Sequence, residues 1–220
     1  MGRLLNIINQ LHKKTTRDHI GRMTDNKIEC MKLAKEYAFD YWDGNRRYGY
    51  GGYKYDGRWK VVAEKLIETY SLAGDVSILD VGCGKAFLLY EIKQLLPKAK
   101  ITGFDISEYA IENSKSEIKE NLFVYDARVP YPFGDKEFDL VISITTLHNF
   151  PIYDLKSAFR EIERVGRHKY IAVESYRNDT ELFNLECWAL TCESFFRPQE
   201  WIWLMNEFGY SGDFEFIYFE

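Results

Sequence analysis

Three acidic residues, each behind an apolar run, are the first in this chain whose types and spacing suit chemistry. Asp80 opens Asp80-Val-Gly-Cys-Gly84, Asp105 closes the run from Ile101, and Asp126 closes the run from Phe123. Gly82 and Gly84 let the backbone turn tightly and let a ligand come close. A helix beginning near Ala86 would offer its free amides to a polar group. A turn built for a pyrophosphate carries a third glycine; here Phe87 takes that place, and Asp80 would repel a diphosphate. An acid at this point suits a ligand with a cationic amino group. Asp105, at the end of the next strand, can accept from both hydroxyls of a ribose. Asp126, at the end of the third, can accept from an exocyclic adenine amine. Cys83, within the turn, and Ile106, directly after the second acid, are candidates for contact with the same ligand.

Candidates for reaction chemistry come later in the chain. His148 follows the fourth apolar strand, and an imidazole titrates near neutrality. It either removes a proton or orders its loop. Glu174 and Tyr176 end the fifth strand at the same edge, and Glu174 either serves as base or holds a hydroxyl. Residues 41–58 are rich in Tyr, Gly and Arg. Arg46, Arg47 and Arg58 are candidate ligands for a phosphate or carboxylate. Tyr48, Tyr50, Tyr53 and Tyr55 offer apolar faces with a hydroxyl at the tip. The glycines would give such a segment the mobility of a lid. Histidines 12, 19 and 168 show no chemical pattern, and no His or carboxylate pair has metal-ligand spacing, so no metal is expected. Trp188 and the 201–203 segment read as core or pocket wall.

These residues need elements to position them. Residues 1–19 read as an amphipathic helix, and 23–41 as a second helix capped by Thr24 or Asp25. The 41–58 segment reads as loop, and 59–70 as helix. From residue 76 the pattern alternates: strand 76–81, helix 87–96, strand 100–104, helix 107–118, strand 122–125 and strand 138–144. Helix 155–165 follows, stopped by Gly166, then strand 170–174, helix 198–208 behind Pro198, and strand 214–219. This alternation predicts right-handed crossovers and a largely parallel sheet covered on both faces. All three acids then fall at the C-terminal ends of strands, the ligand edge of such a sheet.

The chain has 220 residues, 46% hydrophobic and 29% charged, enough to bury a core without staples. A net charge of −5 argues against a general nucleic-acid binder. No apolar run is long enough for a membrane span, and no secretory signal is legible at the N-terminus. Cys30, Cys83, Cys187 and Cys192 are scattered, as reduced thiols in a cytoplasmic protein would be.

Taken together, Asp80-Val-Gly-Cys-Gly84, Asp105, Asp126-Ala127, the 138–143 strand with Leu147-His148, and the helix–strand pair 159–176 resemble the class I S-adenosylmethionine-dependent methyltransferases. The resemblance covers about residues 60–215. It implies a doubly wound, mostly parallel Rossmann-like α/β sheet with an N-terminal helical lid. Residues 1–60 would form the lid and recognise substrate; 61–220 would bind the cofactor. Asp80, Gly82 and Gly84 would hold the methionine part of S-adenosylmethionine, Asp105 the ribose, and Asp126 with the Ala127 backbone the adenine. Ala86 stands where the family has a third small residue in the turn. The family commonly closes its sheet with two strands, the last antiparallel; only 214–219 is legible here. The sulfonium is already activated, so the protein has to align a nucleophile and remove at most one proton.

The expected reaction is O-methylation of a small polar metabolite: a sugar, a nucleotide-linked sugar or a natural-product intermediate. Arg46, Arg47, Arg58, Tyr50, Tyr53 and Tyr176 would touch the substrate. The alternatives are a protein or peptide N-methyltransferase and a non-catalytic cofactor-binding protein. No nucleic-acid or membrane partner is expected. The apolar last strand and aromatic C-terminus would suit a homodimer.

Overall fold

Alternate residues along each central strand point to opposite faces of the sheet, and here both faces are apolar. A computed structural model shows the result for residues 2–12, 17–50 and 53–220. Lys13, Lys14, Thr15 and Thr16 of the expected N-terminal helix, and Gly51 and Gly52 of the aromatic loop, lie outside the described residues.

Before the sheet come α1 (Asn9–His12), α2 (His19–Thr24), α3 (Lys27–Ala34), α4 (Phe39–Trp42) and α5 (Lys60–Tyr70). The alternating part runs β1 (Ser77–Val81), α6 (Phe87–Leu95), β2 (Lys100–Asp105), α7 (Glu108–Glu112), β3 (Leu122–Val124), β4 (Phe138–Ile144), α8 (Ile152–Val165), β5 (Gly166–Glu174), α9 (Asp179–Trp188), α10 (Pro198–Glu207) and β6 (Asp213–Ile217). The strands lie in the order β3-β2-β1-β4-β5-β6, every neighbouring pair parallel. One core holds Ile78, Leu140, Ile142, Tyr170 and Ala172 against Leu66 of α5 and Leu89 and Ile92 of α6. The other holds Leu79, Val81, Val141, Ile171 and Val173 against Phe159 and Ile162 of α8 and Trp201 of α10. The chain reverses its winding between β1 and β4, so a crevice opens above their C-terminal ends.

The expected α/β sheet is therefore present, with four departures. First, where the family commonly closes its sheet with two strands, the last antiparallel, the described residues after β5 form β6 alone, parallel to β5. Its outer edge is covered by the chain's own N-terminus: the Leu5 amide donates to Phe214 O at 2.8 Å, and the Phe214 amide to Arg3 O at 3.0 Å. A partner chain pairing along β6 would have to displace this segment.

Second, the N-terminal stretch is not one helix. The amides of Ile7 and Asn9 donate to the buried Glu215 carboxylate at 2.6 and 2.8 Å, and the Tyr170 hydroxyl joins them at 2.6 Å. An acid from the far end of the chain thus caps the start of α1.

Third, the expected 23–41 helix is broken into pieces. Asn26, and not Thr24 or Asp25, stands at the N-cap of α3, and Tyr37 adopts a left-handed φ of 48° that ends the helical run. Fourth, the expected 107–118 helix survives only as α7, while α9 was not foreseen. Asn178 caps α9 by accepting from the Glu181 amide at 3.0 Å, a local signal that the sequence does contain.

Candidate active site

The turn after β1 is built as its glycines require. Gly82 and Gly84 take φ values of +74° and +55°. A Cβ on Gly82 would lie 2.3 Å from Thr146 Cγ2, and one on Gly84 2.7 Å from Trp42 Cη2. Ala86, also left-handed, is the N-cap of α6. Asp80 is 5% exposed. Burial, then the neighbouring Asp105 charge, push its carboxyl up to about 8, and no described residue donates a hydrogen bond to offset them. Without such donors the ligand-free carboxyl stays largely protonated at neutral pH, and a cationic group from outside the protein could draw that proton off.

Asp105 is held differently. Its two oxygens accept from the Gly84 and Ser107 amides at 2.8 and 2.9 Å. Burial raises its carboxyl, and these amides oppose the rise. Each oxygen keeps a lone pair for a further donor. Asp126 is bonded by the Arg128 amide at 2.9 Å and its guanidinium at 2.7 Å. Cys83, Ile106, Asp126 and Ala127 all line the same cavity as Asp80, Gly82, Gly84 and Asp105. An acid for an ammonium, an acid for a diol and a close-approach glycine turn fit the donor set of S-adenosylmethionine.

The cavity, about 810 Å³, continues from this turn past the ends of β4 and β5. There Ile8, Ile144, Trp188, Ile217 and Phe219 form apolar walls around His148 and Glu174. His148 sits in a single helical turn after β4, 3% exposed. Its Nδ1 accepts from the Glu174 amide at 3.3 Å. The ring proton then belongs on Nε2, which is 3.4 Å from Glu174 Oε2. Burial alone drives the imidazole well below its usual range, so it is neutral. Burial raises the Glu174 carboxyl to about 8, against the charge of Arg17. Arg17 also lines this chamber, its guanidinium 5.0 Å from the Phe219 ring centre.

The structure brings only some of the expected substrate residues here. Tyr50, Tyr53 and Arg58 line the cavity; Arg46, Arg47 and Tyr176 do not. The Tyr50 hydroxyl accepts from the Leu190 and Thr191 amides at 2.7 and 3.1 Å, so it fastens the aromatic loop to the segment after α9. Tyr53 packs on Trp42 at 4.6 Å. Arg58 closes on Asp56, and Arg47 on Asp25 at 2.7 Å. Arg46 lies over Trp188, 5.7 Å from its ring centre. Residues that sequence reasoning missed include Arg17, Trp42, Lys85, Thr146 and Thr191, all lining the cavity. The position of Lys85, directly after Gly84, was the one available signal.

The methyltransferase domain family matches residues 72–209 of this chain. The chain belongs to that family. It is an S-adenosylmethionine-dependent methyltransferase, and the β1 turn stands where such a cofactor is expected. The demethylmenaquinone methyltransferase of Thermotoga maritima is 23% identical over 88% of this chain and 93% of its own length. The ribosomal RNA small subunit methyltransferase C of Buchnera aphidicola is 34% identical, but over 48% of this chain and 31% of its own. Among solved structures, a geranyl diphosphate methyltransferase in complex with S-adenosylmethionine shares the fold with a TM-score of 0.56 and 15% identity. That match covers 67% of this chain and 63% of the other. No helix among the described residues is long and apolar enough to cross a membrane.

Proposed function

We propose that this methyltransferase O-methylates a small organic molecule with an apolar or aromatic body and an acidic hydroxyl. The observation that carries this reading is the single cavity that joins the Asp80 turn to an apolar chamber ending in Glu174 and His148. Of the acceptors expected from the sequence, a natural-product intermediate is favoured over a sugar or nucleotide-linked sugar. Ile8, Ile144, Trp188, Ile217 and Phe219 give the chamber broad apolar walls beside Arg17, and Arg46 and Arg47 lie outside the lining. The relatives named for demethylmenaquinone and geranyl diphosphate also act on small organic molecules. The relative named for ribosomal RNA is matched over only 31% of its length, and the net charge of −5 does not favour a polyanion.

In this reading Asp80 takes the cofactor's ammonium, Asp105 the ribose hydroxyls, and Asp126 with Ala127 the adenine. When bound, the cofactor supplies an activated methyl group. Glu174, with its carboxyl raised toward the working pH, removes the acceptor's hydroxyl proton as the oxygen attacks. His148 is a positioning residue: its neutral ring is fixed by the Glu174 amide and directs Nε2–H at the carboxylate. The apolar walls exclude water and align the acceptor.

The test is transfer of labelled methyl from S-adenosylmethionine to a panel of quinols and phenols, sugars and nucleotide sugars, peptides, and ribosomal RNA, with Glu174→Gln as control. Methylation of phenolic or quinol oxygens, lost in the variant, supports the reading. Methylation confined to sugars, peptide or RNA rejects it, and binding of donor without transfer to any acceptor would favour a non-catalytic role.

A further inference from the structure

The N-terminal segment does more than wall the acceptor chamber. Between α3 and the aromatic loop, residues 37–43 cross the mouth of the cofactor turn. Tyr37, in its left-handed conformation, points its carbonyl at the Trp42 indole N–H, 3.0 Å away. The same N–H lies 2.8 Å from Ser107 Oγ, and the Ser107 hydroxyl donates to the Tyr37 carbonyl. Ser107 is also the residue whose amide donates to Asp105. The Trp42 ring lies directly over Gly84, where a single added methyl would collide with it.

Next in sequence, Asp43 accepts from Lys85 Nζ with both oxygens, at 2.8 and 2.7 Å, and from the Tyr109 hydroxyl at 2.8 Å. Lys85 is buried at 7% exposure and the Asp43 side chain is half-buried at 22%, so the pair is shielded on the lysine side and reaches solvent on the aspartate side. One short stretch of chain thus grips both loops that carry the proposed methionine and ribose ligands. It continues into Tyr41, which packs on Tyr50 and Tyr53 of the acceptor side at 5.9 and 5.2 Å.

We propose that Trp42, Asp43 and Lys85 form a clasp over the cofactor: Trp42 covers the donor at the glycine turn, and the Asp43–Lys85 pair opens to admit it and closes behind it. Two consequences follow. Release of S-adenosylhomocysteine is limited by opening of the pair. Donor binds before acceptor, because the closed clasp is what seats Tyr41 against Tyr50 and Tyr53. Neither consequence depends on which acceptor is used, so the clasp and the proposed acceptor class fail separately.

The experiment measures S-adenosylhomocysteine dissociation by stopped flow, without acceptor, in the full chain. Asp43→Asn and Lys85→Met should each speed release at least about tenfold. The double variant should release no faster than the faster single one, because both act through one contact. Tyr109→Phe removes only one hold on Asp43 and should speed release about threefold, which keeps the test usable if a clasp variant folds poorly. Hydrogen exchange of amides 37–43 should slow at least tenfold when S-adenosylhomocysteine binds to the unaltered protein. Release rates unchanged by these variants, additive effects of the two single changes, or exchange at 37–43 indifferent to the ligand would each overturn the clasp.

Discussion

Replacing Asp80 with Asn separates the stability of the ligand-free fold from its capacity to bind the donor. The wild-type carboxyl is buried beside Asp105 and raised to about 8, from an ordinary value of 3.8. With the folded value above the unfolded one, the ligand-free fold keeps a proton that the unfolded chain gives up. Its stability therefore falls as pH rises between about 4 and about 8. At pH 7 the full linkage would be about 4 kcal/mol, and local relaxation and water in the cavity reduce it to roughly 1–2 kcal/mol. Asn has the same shape and no charge. The ligand-free variant should melt higher than wild type at pH 7, by about 2–8 °C for a chain of this size, with the difference vanishing near pH 4. Its affinity for S-adenosylhomocysteine should fall at least about thirtyfold, because a charge-assisted contact to the ammonium is lost. In the wild type, affinity should rise between pH 6 and 7.5 by up to about tenfold per unit, as the bound cation draws the proton off Asp80; the variant should lack this slope. Thermal melts from pH 4 to 8 and calorimetric titration measure all three. A variant less stable than wild type at pH 7, or one binding within threefold of it, would refute the assignment of Asp80.

Glu174→Gln should lower kcat on a phenolic acceptor by at least about a hundredfold with donor affinity unchanged. In the unaltered enzyme kcat should climb with pH to about 8, since the raised carboxyl must lose its proton before it can act as base. His148→Gln should cost less, about tenfold, because the ring acts through Glu174; an equal or larger loss would make His148 itself the base. Gly82→Ala should destabilise the chain by roughly 2–3 kcal/mol in denaturant titration, from positive φ and the collision with Thr146 together, and Thr146→Ala should recover part of the loss. Arg47→Ala should change stability by under about 1 kcal/mol and leave the acceptor KM within threefold, since its exposed pair with Asp25 lies away from the cavity.

What the sequence determined by itself is local. The alternation of apolar strands and helices, the glycine turn, and acids at successive strand ends are patterns a few residues long, and each sits at the ligand edge of the sheet. His148 and Glu174 were legible as strand-end residues on the same grounds. Their hydrogen bond, and with it the pairing of a neutral ring with a raised carboxyl, was not. Tertiary structure decided it, because pKa values follow burial and neighbours from other elements. The same holds for α1, whose amides are capped by Glu215 from the last strand, and for the parallel β6 whose edge the N-terminus covers. The arginines of residues 46–47 looked like anion ligands by type alone, and packing placed them off the cavity. Asp43 and Lys85 carry no shared motif. Only the crossing of the N-terminal segment over the β1 turn brings them together, since no periodicity encodes a contact between residues so far apart along the chain.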